Sequence, residues 1–293
     1  MRLRLLGRLT VVAALAACAP KTRTTPPPGA TPAPIPAPST PTAATSAPAA
    51  SRFVFLPGAA TYDVRSDASI DMTSGPQTER GRERSTTAAR VTYELGETPR
   101  GTVNVTGQVD ALSTQASARL GGNPAAPPTP VRFHGSIDTR SAQIEAEGAV
   151  FGCGGPPGLA QDAALVAARE TLLRMPVAIA VAARWRDSVT VTTCRGPVPT
   201  TVTSIARYEV TAIDGPRVQV RRETTVRLRG QAIAGGRNVT VSGGGGGTAT
   251  IELDATLGRL TRVDDDTRTT ITVTLPDGAR EFTEQLHTEV RAR

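Results

Sequence analysis

From Ser51 onward, apolar side chains recur at every second position. Tyr62 and Val64, Ile70 and Met72, then Val91, Tyr93 and Leu95 follow this rule, as do Val103, Val105 and Val109, then Val131, Phe133 and Ile137. Gly75-Pro76 and Gly121-Gly122-Asn123-Pro124 interrupt the pattern as turns. A period of two with one apolar face predicts antiparallel strands, one side buried and the other wet. After Pro156-Pro157-Gly158 the period changes. The run LAQDAALVAARETLLRM is alanine-rich, and Leu165, Leu172 and Met175 recur near helical spacing. This predicts a helix over Leu159–Met175, with Asp162 in its first turn and Pro176 ending it.

Period two then returns. Val177, Ile179, Val181, Trp185, Val189 and Val191 share one odd-numbered face, and Tyr208, Val210, Val218, Val220, Ile251, Leu253, Ile271 and Val273 extend the pattern. Asp214-Gly215-Pro216 and Pro276-Asp277-Gly278 are hairpin turns. Phe282, Leu286 and Val290 fit a helix or a strand, and the neighbouring threonines favour strand. The expected fold is mainly β: curved antiparallel sheet or half-barrel with one packed helix at about 159–175. Ile137-Asp138 with Ile144, and Leu253-Asp254 with Leu260, repeat one hairpin-like spacing. Two similar halves, 52–151 and 152–293, are therefore one possibility, and two unrelated hairpins the other.

The N-terminus reads differently. Met1–Arg8 is basic, Leu5–Ala17 is largely apolar, and small residues lead into Cys18. Residues 1–17 are expected to be a signal peptide, too short to remain as a membrane span. Leu15-Ala16-Ala17-Cys18 resembles the lipobox of bacterial lipoproteins. That resemblance implies cleavage before Cys18, lipidation of its thiol, and a place in the bacterial cell envelope. Ala19 in the following position implies the outer membrane. Residues 18–51 are the lipidated cysteine and a Pro/Ala/Thr-rich tether, holding ten of the 24 prolines. Such a chain buries no core and, at ~3.1 Å per residue, reaches at most about 100 Å from the membrane. The folded domain is expected over 52–293.

Charge adds one exclusion. The formal net charge is +7, from 33 basic and 26 acidic residues. The first 50 residues hold five of the bases and no acid, which leaves 28 against 26 for the rest. A folded part so nearly neutral argues against a nucleic-acid partner.

The downstream half resembles a family of uncharacterised secreted bacterial β-rich proteins. The matching residues are Leu173, Met175-Pro176, Trp185-Arg186-Asp187-Ser188 and the hairpin Asp254-Ala255-Thr256-Leu257-Gly258-Arg259-Leu260. The chain departs from that pattern at Ala182-Ala183-Arg184, where the family has Gly-Asp before the tryptophan. The architecture is also loosely similar to half-barrels of the lipoprotein-carrier and mycobacterial lipoprotein type.

Cys153 and Cys194 remain once Cys18 is lipidated, and an even pair in an oxidising envelope reads as a disulfide. They lie 41 positions apart and would clamp the helix to the strand after it. His134 and His287, the two histidines, lie far apart in predicted strands, and no metal site is expected from them. Asp264-Asp265-Asp266 lacks the spacing of a calcium loop and reads as a solvated turn. Gly243–Gly247 precedes no Lys-Ser/Thr and no helix, so it reads as a flexible hairpin or bulged strand. Arg222 shares a face with Val220 and Val226, and either ends its strand at a sheet edge or meets an acidic partner. The segment Arg80–Arg84 reads as an exposed basic turn.

Gly-x-Ser-x-Gly, His-Glu-x-x-His and Ser-x-x-Lys do not occur in the sequence, and no cofactor is expected. The functional expectation is a non-enzymatic, membrane-anchored binding module for an apolar ligand or an envelope protein partner. The alternatives are a structural or assembly accessory and a hydrolase with an unrecognised site. An apolar groove would be lined by Ile179, Val181, Trp185 and Val189.

Overall fold

The computed structural model describes residues 51–52, 55–73, 82–97, 102–116, 130–137, 142–148, 152–153, 155–176 and 178–293. These belong to one of the two units into which the chain divides, Ala47–Arg293. The signal segment, Cys18, the tether up to residue 50 and the turns at Gly75-Pro76 and Gly121–Pro124 lie outside the described residues.

The elements are β1 (Ser51–Arg52), β2 (Gly58–Met72), β3 (Arg82–Glu97), β4 (Val103–Ala116), β5 (Val131–Ile137) and β6 (Ala142–Ala146), then α1 (Pro156–Glu170). After the helix come β7 (Ala178–Ile179), β8 (Arg184–Arg195), β9 (Val198–Asp214), β10 (Arg217–Ala234), β11 (Arg237–Asp254), β12 (Arg259–Leu275) and β13 (Gly278–Ala292). Eleven strands form one antiparallel sheet in the order β6-β5-β4-β3-β2-β13-β12-β11-β10-β9-β8, and β1 pairs with β7. The stretches before and after α1 are joined in this sheet where β13 pairs with β2.

The sheet is curled almost into a barrel. Arg195 on β8 donates to the Glu284 carboxylate on β13 at 2.8 Å. In a flat sheet those strands, five places apart, would stand ~24 Å from each other. Among the described residues the edge strands are β6 and β8, and α1 packs against β3–β6 on one side and β8 on the other. Alternation works as the pattern predicted: Val218, Val220 and Leu228 point inward on β10, while Arg217, Arg221 and Arg227 point out.

The interior has two apolar clusters. The larger joins Tyr62, Val91, Phe133, Val210, Ile251 and Val290 to Ala160, Ala164 and Ala168 of the helix, whose small side chains let it lie close to the wall. The smaller holds Val198, Leu228, Val239, Val241 and Ile271. With aromatics at 3% of the chain, aliphatic residues make up most of both clusters.

Three expectations are corrected. The helix spans 156–170 and not 159–175. Pro156 and Pro157 occupy its first positions, where a missing N–H costs nothing. It ends early because tertiary partners take the next carbonyls: the Tyr93 hydroxyl lies 3.2 Å from the Thr171 carbonyl, and Trp185 Nε1 donates to that of Arg174 at 3.1 Å. Asp162 therefore lies beyond the first turn and serves as a tie, accepting from Thr193 Oγ1 at 2.7 Å and Cys194 N at 3.0 Å. Secondly, the run 177–191, whose first residue lies outside the described residues, is not one strand. It breaks between β7 and β8 at Ala182, whose φ is +65°. Thirdly, Gly243–Gly247 is neither hairpin nor bulge. It sits in the middle of β11 and keeps unbroken register with β10 and β12. The Asp214–Pro216 and Pro276–Gly278 turns are where the pattern placed them, as is β13.

Candidate functional site

Between the two apolar clusters the inner wall is charged. Arg222 on β10 lies 3.3 Å from Asp265 on β12 and 3.4 Å from Glu170 at the helix C-terminus. It is thus the strand residue that meets acidic partners, not one at a sheet edge. Burial disfavours the Arg222 charge, but Glu170 and Asp265 overcome this and hold its pKa above the usual range. Burial pushes Glu170 up despite Arg222, and pushes the Tyr208 hydroxyl up to about 12. Glu170 keeps 30 % of its side chain in solvent, so it stands at the rim of this network. Arg174 with Asp187, at 3.7 Å, adds a second inward pair beside the helix end. Together with the disulfide Cys153–Cys194, Cα atoms 5.3 Å apart, these links fasten α1 over the unpaired edge of β8.

Asp264-Asp265-Asp266 is accordingly no turn. It lies within β12, where alternation sends Asp265 inward to Arg222 and its neighbours outward. Outside, Asp264, Asp266 and His287 bring one ligand atom each within 4.8 Å of one another. The His287 Nδ1–Asp266 distance is 3.0 Å, and Arg262 lies 3.3 Å from Asp264, so these groups are already engaged in ion pairs. Hydrogen bonding to Asp266 holds the His287 pKa above its ordinary value. His134 stands apart, half exposed and 4.0 Å from Glu147.

The outer wall carries a series of open hollows at mid-strand height. The largest, 720 Å³, crosses β3, β2, β13, β12 and β11; Arg84, Asp67, His287, Arg268 and Thr248 stand around it, above Gly246 and Gly247. A second, 430 Å³, lies between β10 and β11 over Gly243–Gly245, with Arg227 and Arg229 on its rim. A third, 210 Å³, is set across β8, β9 and β10 and is lined by Arg186, Arg207, Arg227, Glu223, Thr203, Ile205 and Thr225. The second and third share Thr225 and Arg227. No family model, curated protein or solved structure matches this chain.

Of the four residues expected to line an apolar groove, Ile179 and Trp185 belong to the larger apolar cluster. Ile179 is fully buried, whereas Val181 is 47 % exposed in the break before β8. Trp185 stacks on Tyr208 with ring centroids 4.9 Å apart, and Val189 is half-buried further along β8. The outer arginines went unnoticed in the sequence because they lie some 20 residues apart. Only the strand register brings Arg186 opposite Arg207.

Proposed function

We propose that this protein is a non-enzymatic binding module of the bacterial cell envelope, lipid-anchored through Cys18, that engages its partner on the outer wall of the barrel. The observation that carries this reading is the contrast between a closely packed space under the helix end and a hollowed exterior. Beside Phe55, Leu172 and Leu253, under the end of the helix, the free space is 10 Å³, about the least that holds one water. The hollows on the outer wall are twenty times that size or more.

The outer wall is also suited to water. Arg207, Arg227, Arg229 and Asp266 are exposed in the middle of their strands. On a lipid-facing barrel surface such arginines would cost ~2–4 kcal/mol each. This supports a domain held off the bilayer by its tether and working on envelope components. Outer-membrane placement rests on Ala19 after the lipidated position.

Two measurements test the reading. Cys18→Ser should abolish acyl labelling and release the protein from the membrane fraction; labelling that persists overturns the anchor. Titration of a long-chain fatty acid into the delipidated domain should leave Trp185 emission unchanged. A saturable blue shift would mean that α1 lifts to admit an apolar ligand, and the outer-wall reading would fall.

A further inference from the structure

We propose that Arg186, Arg207 and Arg227 form a phosphoryl-binding site on the outer wall, extended along the neighbouring hollow by Arg229. This rests on the reading of the outer wall as the working surface and names the ligand class it takes.

Several other outer arginines sit against a carboxylate. Arg82 pairs with Asp71, Arg184 with Glu209, Arg217 with Glu252 and Arg262 with Asp264. Matching to a carboxylate, across strands for the first three and along β12 for the last, is thus common on this wall. Arg186 and Arg207 lack it. They are directly opposed in the β8–β9 register, a like-charge arrangement that is unfavourable unless something between them is negative. Neither side chain pairs with a carboxylate among the described residues, and the same holds for Arg227 and Arg229.

One acid lines the same hollow. Glu223 lies opposite Arg207 on the β10 side. Its carboxylate accepts instead from Arg221, at 2.7 Å. Three arginines therefore line 210 Å³ with one carboxylate that is already engaged. Thr203 and Thr225 supply hydroxyls at the same surface. Guanidinium forks and hydroxyls around a small open hollow suit a tetrahedral, multiply charged oxyanion, because each fork can donate two parallel N–H bonds to it.

Arg227 is shared with the second hollow, where Arg229 stands over a floor of Gly243–Gly245. With glycine there, no side chain rises from the floor, so a ligand can extend from the first hollow into the second. A diphosphate, or two phosphoryl groups along one molecule, uses all four arginines.

The test is calorimetric titration of the intact folded domain with inorganic pyrophosphate, alongside flotation with vesicles of phosphatidylglycerol and phosphatidylcholine. The variant is Arg186→Gln/Arg207→Gln. Its control is Arg132→Gln/Arg237→Gln, which removes the same charge from exposed positions elsewhere. We expect pyrophosphate or anionic-vesicle binding that weakens about ten-fold for each arginine removed from the site and persists in the control. Pyrophosphate binding assigns the source to a soluble phosphorylated molecule. Binding only to phosphatidylglycerol vesicles assigns it to a lipid headgroup. Binding of neither, or equal loss in both variants, overturns the site. That failure would leave the Cys18 and Trp185 results unmoved, so it is separable from failure of the broader reading.

Discussion

The glycine run in β11 makes a position-by-position prediction, because neighbouring glycines face different obstacles. A Cβ on Gly245 would come within 2.0 Å of the Arg268 carbonyl oxygen and 2.7 Å of the Thr269 Cα, both main-chain atoms of β12. A Cβ on Gly244 would meet only the Val226 carbonyl oxygen, at 3.1 Å. Ordinary contact begins near 3.4 Å, so Gly245→Ala must open the β11–β12 ladder by more than an ångström, whereas Gly244→Ala needs a few tenths. Overpacking costs ~1–3 kcal/mol, and each weakened ladder hydrogen bond adds ~0.5–1.5 kcal/mol. Against this, alanine restricts the unfolded chain and returns ~0.4–1 kcal/mol. The expected net loss is about 2–4 kcal/mol for Gly245→Ala and within about 1 kcal/mol of zero for Gly244→Ala. At ~2–4 °C per kcal/mol for a domain of this size, the first variant should melt roughly 5–15 °C below the parent. Urea unfolding followed by circular dichroism, checked by calorimetry, reads both numbers. Equal stability of the two variants would refute the steric account, and the run would then be a matter of flexibility.

Cys194→Ser should lower stability by about 4 kcal/mol, the chain-entropy value for a 41-position loop, and non-reducing mass spectrometry should find the Cys153–Cys194 cross-link in the parent; free thiols in protein taken from an oxidising compartment would contradict it. Arg222→Met strands Glu170 and Asp265 facing one another and should cost about 3–5 kcal/mol, with Asp265→Asn recovering part of it; no recovery would mean the network is not the cause. Glu170 has its folded pKa raised above 4.5, so its contribution to stability is greatest below that value and is lost as pH rises through the folded pKa; Glu170→Gln should flatten the stability–pH curve over that window. His287 is likewise raised above 6.5, chiefly by hydrogen bonding to Asp266, so its stabilisation is full below 6.5 and fades as pH climbs through the folded pKa. An NMR titration should show Asp266→Asn moving the imidazole back toward its ordinary value, and an unmoved titration would exclude Asp266 as the partner.

Much of the fold was legible because burial on one face writes a period of two into every long strand. Where the pattern misled, the reason was a tertiary partner or a backbone state that side chains do not announce. Leu172 and Met175 keep helical spacing, yet the chain is irregular there because the barrel wall takes its carbonyls. Ala182 breaks the 177–191 run with a positive φ that glycine or asparagine would have signalled. Three consecutive aspartates suggested a turn, and only the position of Arg222 on β10, two strands away, makes the middle one an inward residue. The disulfide needed nothing more than counting cysteines. The arginine hollow was beyond reach from spacing alone, since Arg186, Arg207 and Arg227 meet through register and not through proximity in sequence.

Strand β8 connects these features and limits how a partner can approach. It is a sheet edge of twelve residues, and an edge of that length is ordinarily open to an added strand. Here part of its hydrogen-bonding row is already taken. Cys194 N donates to Asp162 of α1, the Arg186 carbonyl accepts from Arg174 at 2.7 Å, and the disulfide fixes the far end. Strand addition would have to strip those bonds and displace the helix along with its Glu170–Arg222 contact. The outer face of the same strand asks for no such rearrangement. Arg174 anchors Arg186 by its main chain, so the guanidinium can answer a ligand without any movement of the fold, and the energy of an anion contact goes into binding and not into opening the barrel.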